Sequence, residues 1–312
     1  MKPQKIIFLG TPKFAVPSLE ALNQSPHRVL QVITQPDRPK GRGKKIEPPP
    51  IKKKAKALGI DIMQPSSINS LECIDRIQSF HPDFLVVVAF GQLLKQPMLS
   101  IPSRCVLNVH PSLLPEYRGP APIQWSIIHG CSQTGISIMK LDEGLDTGDV
   151  YQVKNVSIKP DETAGELDDR LSHIGAKLLL NTIEKIIDGS ISLTSQNNAL
   201  ATYAPRLSKK DGLIQWQLPT QSIINFIRGM NPWPGAFTFI ENKRFKIFRA
   251  EKINDANEQT PGMVVDGFPD ELWISTGDGI LSILEIQNAS GKRMPISDYL
   301  RGNKISPGTF LG

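Results

Sequence analysis

The sequence predicts an α/β protein in two parts, a mostly parallel sheet covered by helices and then a small β-barrel. Three observations predict it. Short β-branched runs alternate with helical patterns through the first half. From about Leu207 the texture changes to closely spaced alternating segments. The 312 residues also exceed what one hydrophobic core usually holds. The expected boundaries are a first domain over 1–189, a linker over 190–207 and a barrel over 208–312.

The strands of the first half are expected at Lys5–Gly10, Val29–Gln35, Phe84–Phe90, Val106–His110 and Gly135–Leu141. Two of them, Phe84–Phe90 and Val29–Ile33, are almost continuously apolar, the mark of strands covered on both faces. Helical spacing falls between them at Ser18–Asn23, Ile51–Leu58, Leu71–Phe80 and Pro122–His129. Right-handed crossovers then give a parallel sheet, whose ligands gather beyond the carboxyl ends of the strands. A long helix starts at the capping box Thr163/Glu166, continues through Leu167, Leu171, Ile174, Leu178, Ile183 and Ile187, and stops near Asp188-Gly189.

In the second part, strands are expected at Ala236–Glu241, Arg244–Glu251, Gly262–Asp266, Glu271–Thr276 and Ile280–Gln287. Turns at Glu241-Asn242 and Gly277-Asp278-Gly279 separate some of them, and the helix Gln221–Met230 precedes all five. Five short strands with one helix suggest a barrel of the oligonucleotide-binding type.

Composition narrows the function classes. Hydrophobic residues make up 39% and charged residues 21%, as in a globular protein with a sizeable core. The apolar run Ile6–Leu9 is too short for a signal peptide, and no stretch is long enough to span a bilayer, so a cytoplasmic protein is expected. Cys73, Cys105 and Cys131 are odd in number and far apart, which gives neither a disulfide framework nor a metal-ligand pair; Cys105 reads as a reduced core thiol.

The net charge of +6 is local. Between Asp37 and Lys56 lie Arg38, Lys40, Arg42, Lys44, Lys45, Lys52, Lys53, Lys54 and Lys56, against the two acids Asp37 and Glu47. Elsewhere 27 basic and 28 acidic residues nearly cancel. Such a patch suits a polyanionic partner. Lys52–Lys56 also fits the wet face of a helix, and both readings stand at this point. Gly41-Arg-Gly-Lys44 lacks the spacing and the Ser/Thr of a phosphate loop, and Gly10-Thr-Pro12 lacks a second glycine for a dinucleotide fingerprint.

The chemistry-bearing residues sit at strand ends. Alternation along Val106–His110 sends Asn108 and His110 to the same side, an amide donor beside a titratable imidazole. Leu141-Asp-Glu-Gly-Leu-Asp-Thr-Gly-Asp149 places four carboxylates in a Gly-rich loop after the next strand. Asn, His and Asp converging there can run acyl transfer without a covalent nucleophile. Taken singly, Asn-x-His also fits a turn cap, and the acidic loop also fits a solvated turn.

Together, Asn108-x-His110, Ser112-Leu-Leu-Pro115 and Asp146 within Gly-Leu-Asp-Thr-Gly148 resemble the signature of folate-dependent formyltransferases. The resemblance implies a Rossmann-like first domain in which Asn108, His110 and Asp146 are catalytic. It implies a folate-binding loop at Ser112, Leu113, Leu114 and Pro115 with a cis Leu-Pro bond. It also implies a pterin contact at Phe90, Gly91, Gln92 and Leu93, with Asp142 as a further folate contact.

Three further stretches resemble methionyl-tRNA formyltransferases. The first is Ile7-Phe-Leu-Gly-Thr-Pro-Lys-Phe-Ala15. The second, Gln35–Lys45, resembles the inserted loop that grips the tRNA acceptor end and implies contacts from Arg38, Lys40, Arg42, Lys44 and Lys45. The third is the C-terminal set Leu207-Ser-Lys-Lys210, Ile214-Gln-Trp216, Asn231-Pro-Trp-Pro234, Pro261-Gly262 and Thr276–Ile280.

The implied reaction moves a formyl group from 10-formyltetrahydrofolate to the amino group of methionyl initiator tRNA. No metal, nucleotide cofactor or obligate protein partner is expected. Two rivals are a formyltransferase acting on a small amine such as a sugar nucleotide, and a non-catalytic RNA-binding protein. Neither rival explains the basic loop together with an intact Asn-His-Asp set.

Overall fold

The apolar runs of the first half do form a sheet. In the computed structural model, which describes residues 2–40, 45–253, 259–288 and 291–312, the strands are β1 (Lys5–Gly10), β2 (Arg28–Ile33), β3 (Arg38–Lys40), β4 (Lys45–Glu47), β5 (Ile62–Met63), β6 (Phe84–Val88), β7 (Cys105–His110), β8 (Gln133–Lys140) and β9 (Val150–Ser157). Seven of them make one sheet in the order β5-β2-β1-β6-β7-β8-β9. Pairing is parallel from β5 through β7 and turns antiparallel between β7 and β8. The strands are near the expected ranges; β2 and β6 simply end two residues early.

Every residue of β6 and β7 is buried, as the continuous apolar runs require. Ile6, Ile7, Phe8 and Leu9 of β1 are all fully buried, each contributing about 1.5–3 kcal/mol of transfer free energy. The helices α1 (Val16–Gln24), α2 (Pro50–Ala57), α3 (Leu71–Ser79), α4 (Gln96–Leu99), α5 (Pro122–Ile128) and α6 (Ala164–Asp188) follow the predicted order, with the short α4 added.

The capping box of α6 is made in both directions: Thr163 N donates to Glu166 Oε2 at 2.9 Å, and Glu166 N donates to Thr163 Oγ1 at 3.3 Å. Gly175 seats α6 on the sheet, because a Cβ there would lie 2.9 Å from Val109 Cγ1. Cys105 and Cys73 are free and buried, and burial pushes the Cys73 thiol up to about 11.

The chain divides into two compact units. The first comprises 1–122, 134–157 and 168–204; the second comprises 123–133, 158–167 and 205–312. Residues 190–204, expected as a linker, are thus part of the first unit.

In the second unit α7 (Thr220–Met230) precedes β10 (Phe237–Ile240), β11 (Lys243–Ile253), β12 (Val264–Val265), β13 (Leu272–Ser275), β14 (Ile280–Gln287), β15 (Met294–Pro295) and α8 (Ile296–Leu300). The antiparallel order is β10-β11-β14-β13-β12, with β15 on β14. Leu311 N donates to Gly262 O at 2.9 Å and Gly312 N to Phe239 O at 3.1 Å, so the last residues link the β12 edge of the curled sheet to its β10 edge. Trp216 is buried beneath it, its Nε1 donating to Thr238 Oγ1. Among the described residues no helix is long and apolar enough to cross a membrane.

Candidate active site

Alternation along β7 puts Asn108 and His110 on one face, and both are nearly buried, at 8% and 4% exposure. Asp146 arrives from the loop between β8 and β9. Its carboxylate joins the other two: Asn108 Nδ2 donates to Oδ1 at 3.5 Å, and His110 Nδ1 lies 3.7 Å from Oδ2. The shortest contact is from the backbone, where Gly119 N donates to Oδ2 at 2.8 Å. Asn108 and His110, paired by strand alternation, and Asp146, implied by the family resemblance, are therefore brought together.

The imidazole is oriented from its far side. His110 Nε2 lies 3.0 Å from Tyr117 O. A carbonyl oxygen only accepts, so Nε2 carries a proton there, and Nδ1 is the nitrogen that faces Asp146. The Asn108 amide has two N–H groups, only one of which is needed for Asp146. An amide donor, an imidazole and a carboxylate at one strand end can stabilise a developing oxyanion and move a proton.

The loop that presents Asp146 is closed on itself. Asp142 accepts from Gly144 N at 3.1 Å and from Thr147 Oγ1 at 2.8 Å. Gly148 has no room for a side chain, since a Cβ would fall 2.0 Å from Lys140 O. Asp146 itself adopts φ +55°, a left-handed conformation uncommon outside glycine. Asp142 was expected as a folate contact; its carboxylate is exposed and engaged in the turn that shapes this loop.

The other expected folate residues are distributed unevenly. Phe90 is buried in the core, and its carbonyl accepts from Thr11 Oγ1. Gly91 has φ +89°, and Leu93 beside it is 63% exposed. The Gln92 amide is committed to Ile68 N and Ser66 O. The Ser112 hydroxyl donates to Glu116 O at 2.6 Å, while Ser137 Oγ donates to Ser112 O and accepts from Leu114 N. These bonds hold Leu113, Leu114 and Pro115 half-buried beside β8, and the Leu114-Pro115 bond is cis.

The basic segment has a partly folded base. β3 and β4 pair antiparallel, Lys40 opposite Lys45 and Pro39 opposite Ile46. Arg38 is exposed and donates to Gln35 Oε1. The expected contacts Arg42 and Lys44 lie outside the described residues. Part of the neighbouring charge is already paired: Lys52 Nζ lies 2.7 Å from Asp37 Oδ2, and Lys54 meets Glu20. The Lys52 hydrogen bond, with one from Gln64, holds the Asp37 carboxyl below its usual range.

Sequence reasoning gave no role to Gly119, Tyr117, Arg118 or Gln196, all of which support the site. Gly119 and Tyr117 act through backbone atoms, which leave no side-chain signal. Gln196 lies in a polar stretch without periodicity.

Residues 4–183 match the family model described as "Formyl transferase", and residues 206–304 match "Formyl transferase, C-terminal domain". A methionyl-tRNA formyltransferase of Alkaliphilus oremlandii is 46% identical over 308 residues, covering 99% of this chain and 99% of its own. One of Geotalea uraniireducens is 45% identical over 312 residues, covering 100% and 99%. Among solved structures, the sugar 3N-formyl transferase WlaRD, crystallised in the presence of dTDP and 5-N-formyl-THF, superposes with a TM-score of 0.66 at 22% identity, over 94% of this chain and 100% of its own. HypX from Aquifex aeolicus in complex with tetrahydrofolic acid gives 0.63 at 15% identity, over 99% and 51%. At these identities the two structures share the fold.

Proposed function

The chain belongs to the methionyl-tRNA formyltransferase family, and from that membership we propose that it transfers a formyl group from a tetrahydrofolate-type donor to the amino group of methionyl initiator tRNA. The donor is 10-formyltetrahydrofolate. The protein acts in the cytoplasm without a metal, a nucleotide cofactor or an obligate protein partner. Catalysis belongs to residues 1–189, and residues 208–312 contribute tRNA binding.

The observation that carries the chemical reading is the Asp146 carboxylate set against Asn108 and His110 at the end of β7. The neutral amine adds to the formyl carbon, forming a C–N bond. Asn108 Nδ2 donates to the oxygen as it becomes negative, with His110 adding positive charge when Nδ1 is protonated. The bond from that carbon to folate N10 then breaks, and the proton shed by the amine passes, with Asp146 assisting through His110, to N10. Ser112–Pro115 and the turn at Phe90–Leu93 receive the folate; the exposed Leu93 and the open backbone at Gly91 support this. Asp142, whose carboxylate also shapes the loop, is a further folate contact.

Arg38, Lys40, Arg42, Lys44 and Lys45 grip the acceptor end of the tRNA. In the second unit Arg244 stacks on Phe237 at 3.6 Å, and its Nε and Nη2 are buried without an acceptor among the described residues. Burial, then Arg244 and Lys209, lower the Lys246 pKa. Cations crowded in this way are relieved by a phosphate.

The test is to incubate the full chain with 10-formyltetrahydrofolate and either charged initiator tRNA or an amino-sugar nucleotide. Formyl-methionine on the tRNA is the expected product. Formylation of the sugar alone contradicts the reading.

A further inference from the structure

The segment that leaves α6 is bound to the first unit along its length. Thr194 pairs with Val150, and Tyr203 pairs with Arg118. Its most committed side chain is Gln196. The amide nitrogen donates to Asp146 O at 2.9 Å and to Gly148 O at 2.7 Å. The amide oxygen accepts from Arg118 Nε at 3.1 Å and Nη2 at 2.8 Å.

These two ends do different jobs. Arg118 is 2% exposed, and neutral amide oxygens receive its guanidinium, Asn198 Oδ1 adding a contact of 2.7 Å. One of the two carbonyls at the other end is that of Asp146 itself, a non-glycine residue at φ +55°, and the other lies two residues further along the same loop. Such a conformation persists where the surroundings over-determine it. Without the two donors, the loop would be free to relax Asp146 towards an ordinary backbone and away from Asn108 and His110.

The same segment braces the opposite side of the trio. Thr202 Oγ1 accepts from Tyr117 N at 2.8 Å, and Ala204 N donates to Arg118 O at 2.8 Å. Tyr117 O in turn fixes His110 Nε2, and Gly119 N fixes Asp146 Oδ2.

We propose that Gln196 is a positioning residue for formyl transfer, holding Asp146 against Asn108 and His110 through the donor end of its amide. The proposal rests on the catalytic reading of Asp146. Gln196→Glu separates the two ends: it is nearly isosteric and keeps oxygens facing Arg118, but it has no N–H for the two carbonyls.

In the full chain, with 10-formyltetrahydrofolate and charged initiator tRNA, Gln196→Glu and Gln196→Ala should both lower kcat by about 100-fold, the scale of a small misplacement of a catalytic group. KM for both substrates should stay unchanged. In an Asp146→Asn background, Gln196→Glu should cost nothing further.

Parental kcat in Gln196→Glu would overturn the proposal, leaving Gln196 as an anchor for Arg118 only. An undiminished penalty in the Asp146→Asn background would overturn it too. Parental activity in Asp146→Asn alone would instead remove the catalytic reading of Asp146, a result obtained without touching Gln196.

Discussion

At the end of β7 the proposed catalytic groups are fixed by backbone: Gly119 N on Asp146, Tyr117 O on His110, and a loop with no space for a Cβ at Gly148. At the base of the basic segment, Arg38 is exposed and meets the side chain of Gln35. The contrast fits what each region is proposed to recognise. A developing oxyanion favours donors placed before the reaction begins. A phosphate chain favours the number of cations near it, with little demand on any one of them. Substitutions in the first region should therefore act on turnover, and those in the second on tRNA use and salt dependence.

The largest effect should come from Asp146→Asn, which keeps the shape of the side chain and removes the charge facing His110. We expect kcat to fall by as much as about 10⁴-fold, the upper range for a general acid–base group. Steady-state kinetics that kept the parental kcat would move the functional acid to Asp142, Glu143 or Asp149.

A second effect lies in the same unit but outside the chemistry. Burial pushes the Asp168 carboxyl up from 3.8 to about 6; nearby Lys13 opposes the shift and Asp169 adds to it. The folded chain then binds that proton more tightly than the unfolded one. Ionised Asp168 therefore costs stability above about pH 6, and the cost fades as pH falls towards 4. Asp168→Asn should raise the unfolding free energy by up to about 3 kcal/mol at pH 8 and by no more than about 0.5 kcal/mol at pH 4. Denaturant titrations at the two pH values decide it, and an equal gain at both would contradict the burial argument.

The smallest effects belong to the basic segment. Removing a single phosphate-binding cation should flatten the plot of log tRNA affinity against log salt by about 0.7 to 0.9. Arg38→Ala and Arg42→Ala should do this and weaken tRNA use while leaving the folate KM unchanged. An unchanged salt slope in both would make this patch a solvated surface and would blur the contrast between the regions.

Much of this division could be read from residue order, for reasons that are themselves physical. The helix α6 was legible because a capping box and a long apolar repeat are local signals. Asn108 and His110 were legible because a strand has period two, and a buried strand end in a parallel sheet faces the ligand side. Asp146 followed from its Gly-rich loop and from the family resemblance.

Other features were hidden. The strand β9 has an exposed middle and no clean alternation, so nothing marked it. The β3–β4 pairing sits in a Pro-, Gly- and Lys-rich stretch that reads as loop. Pairing of Lys52 with Asp37 and of Lys54 with Glu20 depends on tertiary placement and reduces a charge count that looked uniform. Residues 190–204 read as a linker because the hydrogen bonds that tie them to the first unit are long-range, and long-range bonds impose no period on the sequence that makes them.

Single-turnover formylation by Asn108→Ala, at saturating folate and charged tRNA, addresses the oxyanion role at the end of β7 without interference from substrate binding. The rate of formyl-methionine appearance should fall by about 10²- to 10³-fold, with the tRNA Kd unchanged. A parental single-turnover rate, or a loss matched by weaker tRNA binding, would mean that Asn108 serves packing or docking and that the chemistry lies elsewhere.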